Sequence, residues 1–214
     1  MEANKIGIKI LTVSILAVVA IEFAATILIS PNLHHALLVL GVARLLETIL
    51  IVLIVSIWGK GPKSIGLTQS TMIAGLKRGL LWSAGFGTIT ALTFAALTLA
   101  GIDPLELLQV RLPTKPGAIV LYFVIGGIVG PVAEEVFFRG VLYGFLRRWG
   151  FTLALVLSTL FFLLSHGIVH RLPITQAVGG ILFAVAYEVE KILIVPITIH
   201  CLGNLAIFTL SLMN

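Results

Sequence analysis

Three short segments set chemically able side chains inside apolar sequence. They are Glu134 and Glu135 with Arg139 in "GPVAEEVFFRG", Phe162 with His166 in "FFLLSHG", and His200 with Asn204 in "PITIHCLGN". A carboxylate taken out of water holds a proton more tightly and serves as a general base nearer neutrality. Two imidazoles and an amide can orient a water and stabilise a developing oxyanion. Such a set points to hydrolysis by direct attack of water. Ser165 and Cys201 adjoin the two histidines but fall on other helical faces, so neither is an obvious nucleophile. Glu, His and His also make a zinc-ligand set, which leaves metal-assisted hydrolysis open, although the H-E-x-x-H helix is absent.

Helical geometry divides the charges. Neighbouring residues are rotated by about 100°, so Glu134 and Glu135 point different ways. Glu135 and Arg139, spaced i and i+4, share a face and are expected to form an ion pair, because an unpaired ion in low dielectric is heavily penalised. Glu134 is left with the face of Gly127 and Gly130, where glycines predict a hollow. Those two glycines and Phe162 are the expected lining of a substrate cavity. Pro131 lacks an amide hydrogen, which should free the carbonyl of Gly127 and bend the helix; Pro196 precedes His200 in the same way. Singly, each histidine reads as helix packing. Counted along the helices at about 1.5 Å per residue, however, Glu134, His166, His200 and Asn204 all lie roughly 14 to 20 Å from one membrane face.

The elements that must carry these residues are membrane helices. The 214 residues are 59% hydrophobic and 11% charged, well below the charge of a soluble surface. Apolar runs at roughly 8–29, 36–58, 72–100, 117–146, 151–169, 174–187 and 192–212 predict an all-α polytopic bundle of about seven spans. The sixth run is short enough to be re-entrant, and the fourth is long enough that it must tilt, break or run along the interface. The chain reads as one membrane domain: N-terminal helices over 1–116 and a core over 117–208. The first run is longer than a signal-peptide core and is read as a retained helix. Lys5, Lys9, Lys60, Lys63, Lys77, Arg78, Arg147, Arg148 and Lys191 gather on the N-terminal side, against Arg111, Lys115 and Arg171 on the other. The N-terminus is therefore expected in the cytoplasm. The net charge of +5 sits at span ends without interleaved aromatics, which fits lipid head groups and not nucleic acid. Cys201 is the only cysteine, so no disulfide forms within the chain. Arg44 and Glu47, three apart on one face, and Glu22 in the first span are expected to supply an ion pair and polar packing within the bundle, and His34, His35 and His170 to lie in loops or at the interface.

The three segments together, in this order and spacing, resemble the signature motifs of the CAAX protease and bacteriocin-processing family, also called the ABI family. The similarity covers about 117 to 208, and "SIGL" at 64 to 67 resembles a short motif often found upstream. The resemblance implies a metal-free intramembrane endopeptidase with no cofactor, acting on a peptide or protein that enters from the membrane or the cytoplasm. It implies that Glu134 activates water, that His166 assists the water and proton transfer, and that His200 and Asn204 stabilise the oxyanion. Glu135 and Arg139 take the place of the family's structural pair. The chain closes ten residues after Asn204, where the prenyl-protein proteases carry a further helix. That departure weighs against a prenylated substrate and toward peptide maturation or bacteriocin self-immunity. Two other classes remain as alternatives: a non-catalytic immunity or interaction protein, and a small proton-coupled transporter.

Overall fold

A computed structural model describes residues 6–108, 110, 112–166 and 174–213. The expectations for Lys5, Arg111, His170 and Arg171 lie outside the described residues. Seven long helices follow one another: α1 Ile8–Leu28, α2 Leu33–Trp58, α3 Met72–Leu99, α4 Pro116–Trp149, α5 Phe151–Ser165, α6 Ile174–Glu190 and α7 Ile194–Leu212. Among the described residues there is no strand. Five of the helices (α1, α2, α3 with the turns before it, α4 and α7) are long and apolar enough to cross a membrane. Their outward faces are apolar: Phe23, Ile27, Ile57, Leu81 and Leu99 are all exposed. Water would penalise such a surface and lipid would not, so the all-α bundle is an integral membrane structure.

Local chemistry sets the helix ends. Asn32 caps α2, its side-chain oxygen accepting from the amides of His34 and His35. The two histidines therefore sit exposed in the first turn of α2, and the helix starts three residues earlier than its apolar run. Phe151 opens α5 immediately after Gly150, whose φ of 111° suits glycine and turns the chain.

The buried core is concentrated at the end of the bundle where α1 begins. Ile6, Ile10, Ile51, Val55, Ile65, Val141, Tyr143, Tyr187 and Leu193 pack there in one cluster. The same end carries the ion pairs Arg147–Glu188 and Arg78–Glu190, with Tyr143 Oη and Trp82 Nε1 donating to the two carboxylates. The "SIGL" segment is a strap across this end. Tyr187 Oη donates to the Ile65 carbonyl at 2.9 Å, and the Leu193 amide donates to the Gly66 carbonyl at 2.9 Å. Ile65 fills the notch over Gly140 of α4.

The long helix α4 bends by widening. It carries π-type widened turns over 125–129 and 136–143, and at the first of them Gly130 N donates to the Ile125 carbonyl five residues back. In that register an amide at residue 131 would bond to the carbonyl of Gly126. Pro131 has no hydrogen to give, and Asn204 Nδ2 from α7 supplies it at 2.9 Å. The freed carbonyl is thus that of Gly126, not Gly127. The helix α7 also packs against α3: a Cβ on Gly79 would stand 2.6 Å from Thr198 Cβ, so only glycine permits this approach.

Candidate functional site

The site is built on α4, α5 and α7. Glu135 is fully buried, and its Oε1 accepts from Arg139 Nη1 and from His200 Nδ1, both at 2.8 Å. Arg139 is equally buried; its Nη2 donates to the Gly180 carbonyl at 3.2 Å. The guanidinium lies over the ring of Phe162 at 4.7 Å and that of Phe183 at 5.2 Å. His200 stacks on Phe183 with ring centres 4.5 Å apart and planes at 21°. The Glu135–Arg139 pair expected from spacing therefore forms, and it has a third member in His200.

Glu134, one residue earlier, points to a different set. His166 Nε2 stands 3.7 Å and His200 Nε2 3.9 Å from the same atom, Glu134 Oε2. Both distances are too long for direct hydrogen bonds and suit a small group held between. The Nδ1 atom of each ring is engaged elsewhere. His166 ends α5, and its Nδ1 lies 2.8 Å from the Phe162 carbonyl in the last turn. That carbonyl can only accept, so Nδ1 carries the hydrogen. His200 Nδ1 likewise donates to the Arg139-paired carboxylate of Glu135. In a neutral ring the remaining Nε2 is an acceptor. Three acceptors thus converge: two imidazole lone pairs and one carboxylate oxygen. Glu134 Oε2 has no hydrogen-bond partner among the described residues.

Glu134 and His166 face a cavity of about 530 Å³ between α1, α2, α4 and α5, walled by Ile15, Val18, Phe137, Phe138 and Phe161 among others. Gly127, Gly130 and Phe162 do not line it. The widened turn at 125–129 inserts one residue between Gly127 and Glu134, which rotates the glycine by about 100° off the glutamate's face. A Cβ at Gly127 would meet Leu205 of α7 at 2.6 Å, so Gly127 is a helix contact. Gly130 packs on the Ile125 carbonyl, and Phe162 is buried between Arg139 and the two histidine rings. Ser165 does reach the cavity wall, but its hydroxyl donates to the Phe162 carbonyl at 2.8 Å. Cys201 Sγ turns to the Ile128 carbonyl. Asn204 adjoins His200 along α7 and bonds to Gly126, as described above. Among the described residues no group of three His, Cys, Asp or Glu side chains stands in metal-binding geometry.

A family model described as type II CAAX prenyl endopeptidase Rce1-like matches residues 116–206, which carry all of this geometry except the α1–α2 wall. Those residues are therefore similar to the CAAX endopeptidases. Two curated relatives match a similar share of the chain. One is the membrane-embedded CAAX protease MroQ of Staphylococcus aureus (strain USA300), 36% identical over 103 residues, 45% of this chain and 40% of that protein. The other is the putative membrane peptidase YdiL of Bacillus subtilis (strain 168), 31% identical over 96 residues, 44% of this chain and 39% of that one. The aligned segment spans about two fifths of the length of each relative. No solved structure matches the chain.

Two site features have no signal in the sequence. The Glu135–His200 bond joins residues 65 positions apart, and nothing in either motif names the other. The second is the far wall of the cavity. Arg44 Nη1 lies 2.6 Å from Glu22 Oε1 and 2.8 Å from Glu47 Oε2, and all three residues line the cavity that Glu134 faces. The pairing of Arg44 with Glu47 was legible from their i, i+3 spacing, but its place opposite Glu134 was not.

Proposed function

We propose that this chain is an intramembrane endopeptidase of the CAAX type in which Glu134 activates a water for direct attack on a peptide bond. The supporting observation is the convergence of His166 Nε2 and His200 Nε2 on Glu134 Oε2 at 3.7 and 3.9 Å, each ring held by its Nδ1. Three acceptors facing one another attract a group that brings hydrogens, and water is the simplest. Glu134 removes one water proton as the oxygen bonds to the carbonyl carbon, and the carbonyl π pair moves to its oxygen. His166 holds the water and relays the proton to the amine as the C–N bond breaks. His200, braced by the Glu135 carboxylate, can take up a proton from solvent before attack without losing its orientation; its Nε2–H then hydrogen-bonds to the oxyanion and stays on the ring when the carbonyl re-forms. Asn204 has a second amide hydrogen beyond the one given to Gly126, and it joins His200 at the oxyanion.

The reaction sits roughly 20 Å along each of α4 and α5 from the end that carries the buried core. With the N-terminus in the cytoplasm, a peptide enters from the cytoplasm or sideways from the membrane into the apolar cavity. Peptide maturation and self-immunity to a bacteriocin are the roles that fit such a peptide substrate. The test is a comparison of chain termini across the proteome of cells carrying the wild-type chain or Glu134→Gln. New termini that vanish in the variant support the reading. Identical termini, with a peptide-dependent phenotype retained in the variant, would instead favour a non-catalytic immunity protein.

A further inference from the structure

The wall of the cavity opposite Glu134 is short of hydrogen-bond donors. Glu22, Glu47 and Glu134 bring three carboxylates to one cavity, and Arg44 is the guanidinium that lines it with them. Arg44 Nη1 serves both neighbours, bonding to Glu47 Oε2 and lying close to, though out of line with, Glu22 Oε1. Glu47 is only 3% exposed, and its Oε1 has no donor among the described residues. A buried carboxylate oxygen without a donor is costly, and in a membrane span it marks a functional position. Glu22 is about one-third exposed, so it can still meet a ligand. Counted along α1 and α2, Glu22, Arg44 and Glu47 lie roughly 16 to 21 Å from the same bundle end as Glu134, opposite it at similar depth.

We propose that this wall, chiefly Glu47 with Glu22, is a subsite for a cationic side chain of the substrate, a lysine or arginine within a few residues of the scissile bond. The proposal rests on the peptidase reading of Glu134. Three carboxyl groups against one guanidinium favour a cation, and an ammonium or guanidinium supplies the hydrogens that Glu47 Oε1 lacks. The rest of the cavity, walled by Ile15, Val18, Val19, Phe137 and Phe161, takes the aliphatic stem and the apolar neighbours. The substrate class is therefore an apolar peptide carrying one basic residue.

The test uses the full chain in nanodiscs of neutral phosphatidylcholine. The probes are two fluorescent apolar peptides with blocked termini, identical except for one lysine replaced by norleucine, with the lysine scanned through successive positions. Binding and cleavage are both read for the wild type, Glu47→Gln and Glu22→Gln, with thermal unfolding recorded for each. The expected result is a binding preference for lysine of at least tenfold at one position, falling toward one in Glu47→Gln or, should that variant fail to fold, in Glu22→Gln. A lysine preference that persists unchanged in the folded variants overturns the subsite, as does equal binding of the two peptides at every position. Cleavage without any charge preference overturns the subsite and leaves the peptidase reading intact. A Glu47-dependent lysine preference without cleavage supports the subsite and counts against the peptidase reading.

Discussion

The two adjacent glutamates should separate cleanly under the same substitution. Glu135→Gln removes the charge that balances Arg139, which has 1% of its side chain exposed and whose Nη1 donates to Glu135. Breaking a buried pair by removing one partner costs about 3–5 kcal/mol, because the other charge stays buried. The cation–π contacts with Phe162 and Phe183 offset only a part of this, about 2 kcal/mol at most. Glu134→Gln should be different. Among the described residues Glu134 Oε2 has no hydrogen-bond partner, the histidine nitrogens facing it lie at 3.7 and 3.9 Å, and its side chain is 19% exposed, so the loss should be within about 1 kcal/mol. Thermal unfolding in detergent, followed by tryptophan fluorescence or by loss of helical circular dichroism, distinguishes the two. Activity should fail in both for different reasons: Glu134→Gln loses the base, and Glu135→Gln lets the His200 ring adopt the wrong tautomer, a change that can cost about 10⁴ in rate where a carboxylate orients a catalytic imidazole. A double variant, Glu135→Met with Arg139→Met, should recover most of the stability and none of the activity. Equal destabilisation by Glu134→Gln and Glu135→Gln, or recovery of activity in the double variant, would refute the division of roles.

Other consequences follow from single contacts. Asn204→Leu leaves the Gly126 carbonyl without its donor, a loss of about 1–3 kcal/mol. Adding Pro131→Ala should restore much of that stability by returning an amide hydrogen, as urea or thermal unfolding would show, and no recovery would sink this reading of the widened turn. Gly79→Val drives a side chain into Thr198 at the α3–α7 contact and should cost about 1–3 kcal/mol while lowering activity through α7, which carries His200. Extensive dialysis against a chelator should leave cleavage of a matched peptide unchanged. Loss of cleavage, with recovery on adding zinc, would favour a metal held by the converging imidazoles.

The helices were legible because lipid demands long apolar runs, and α1, α3 and α7 match theirs within a few residues. The Glu135–Arg139 pair was legible because a spacing of four keeps both members on one face, even though Arg139 falls in the widened 136–143 segment. Reasoning from periodicity failed where α4 departs from its period. The widened turn at 125–129 put Gly127 against Leu205 and moved the freed carbonyl to Gly126, and no residue type in "IGGIV" announces that register. Contacts between distant helices were beyond the pattern as well. Depth counting placed Glu134, His166 and His200 at one level, but the side of each helix that faces its neighbour depends on packing. Packing alone tied His200 to Glu135 and set Arg44 across from Glu134. The "SIGL" strap acquired its meaning the same way, through Tyr187 and Leu193.

The most direct test of the catalytic claim is cleavage of one matched peptide by purified wild type and Glu134→Gln in nanodiscs, with equal folding shown by thermal unfolding. The expected result is complete loss of turnover in a variant that unfolds within a few degrees of the wild type. Turnover at the wild-type rate in folded Glu134→Gln would contradict a glutamate-activated water.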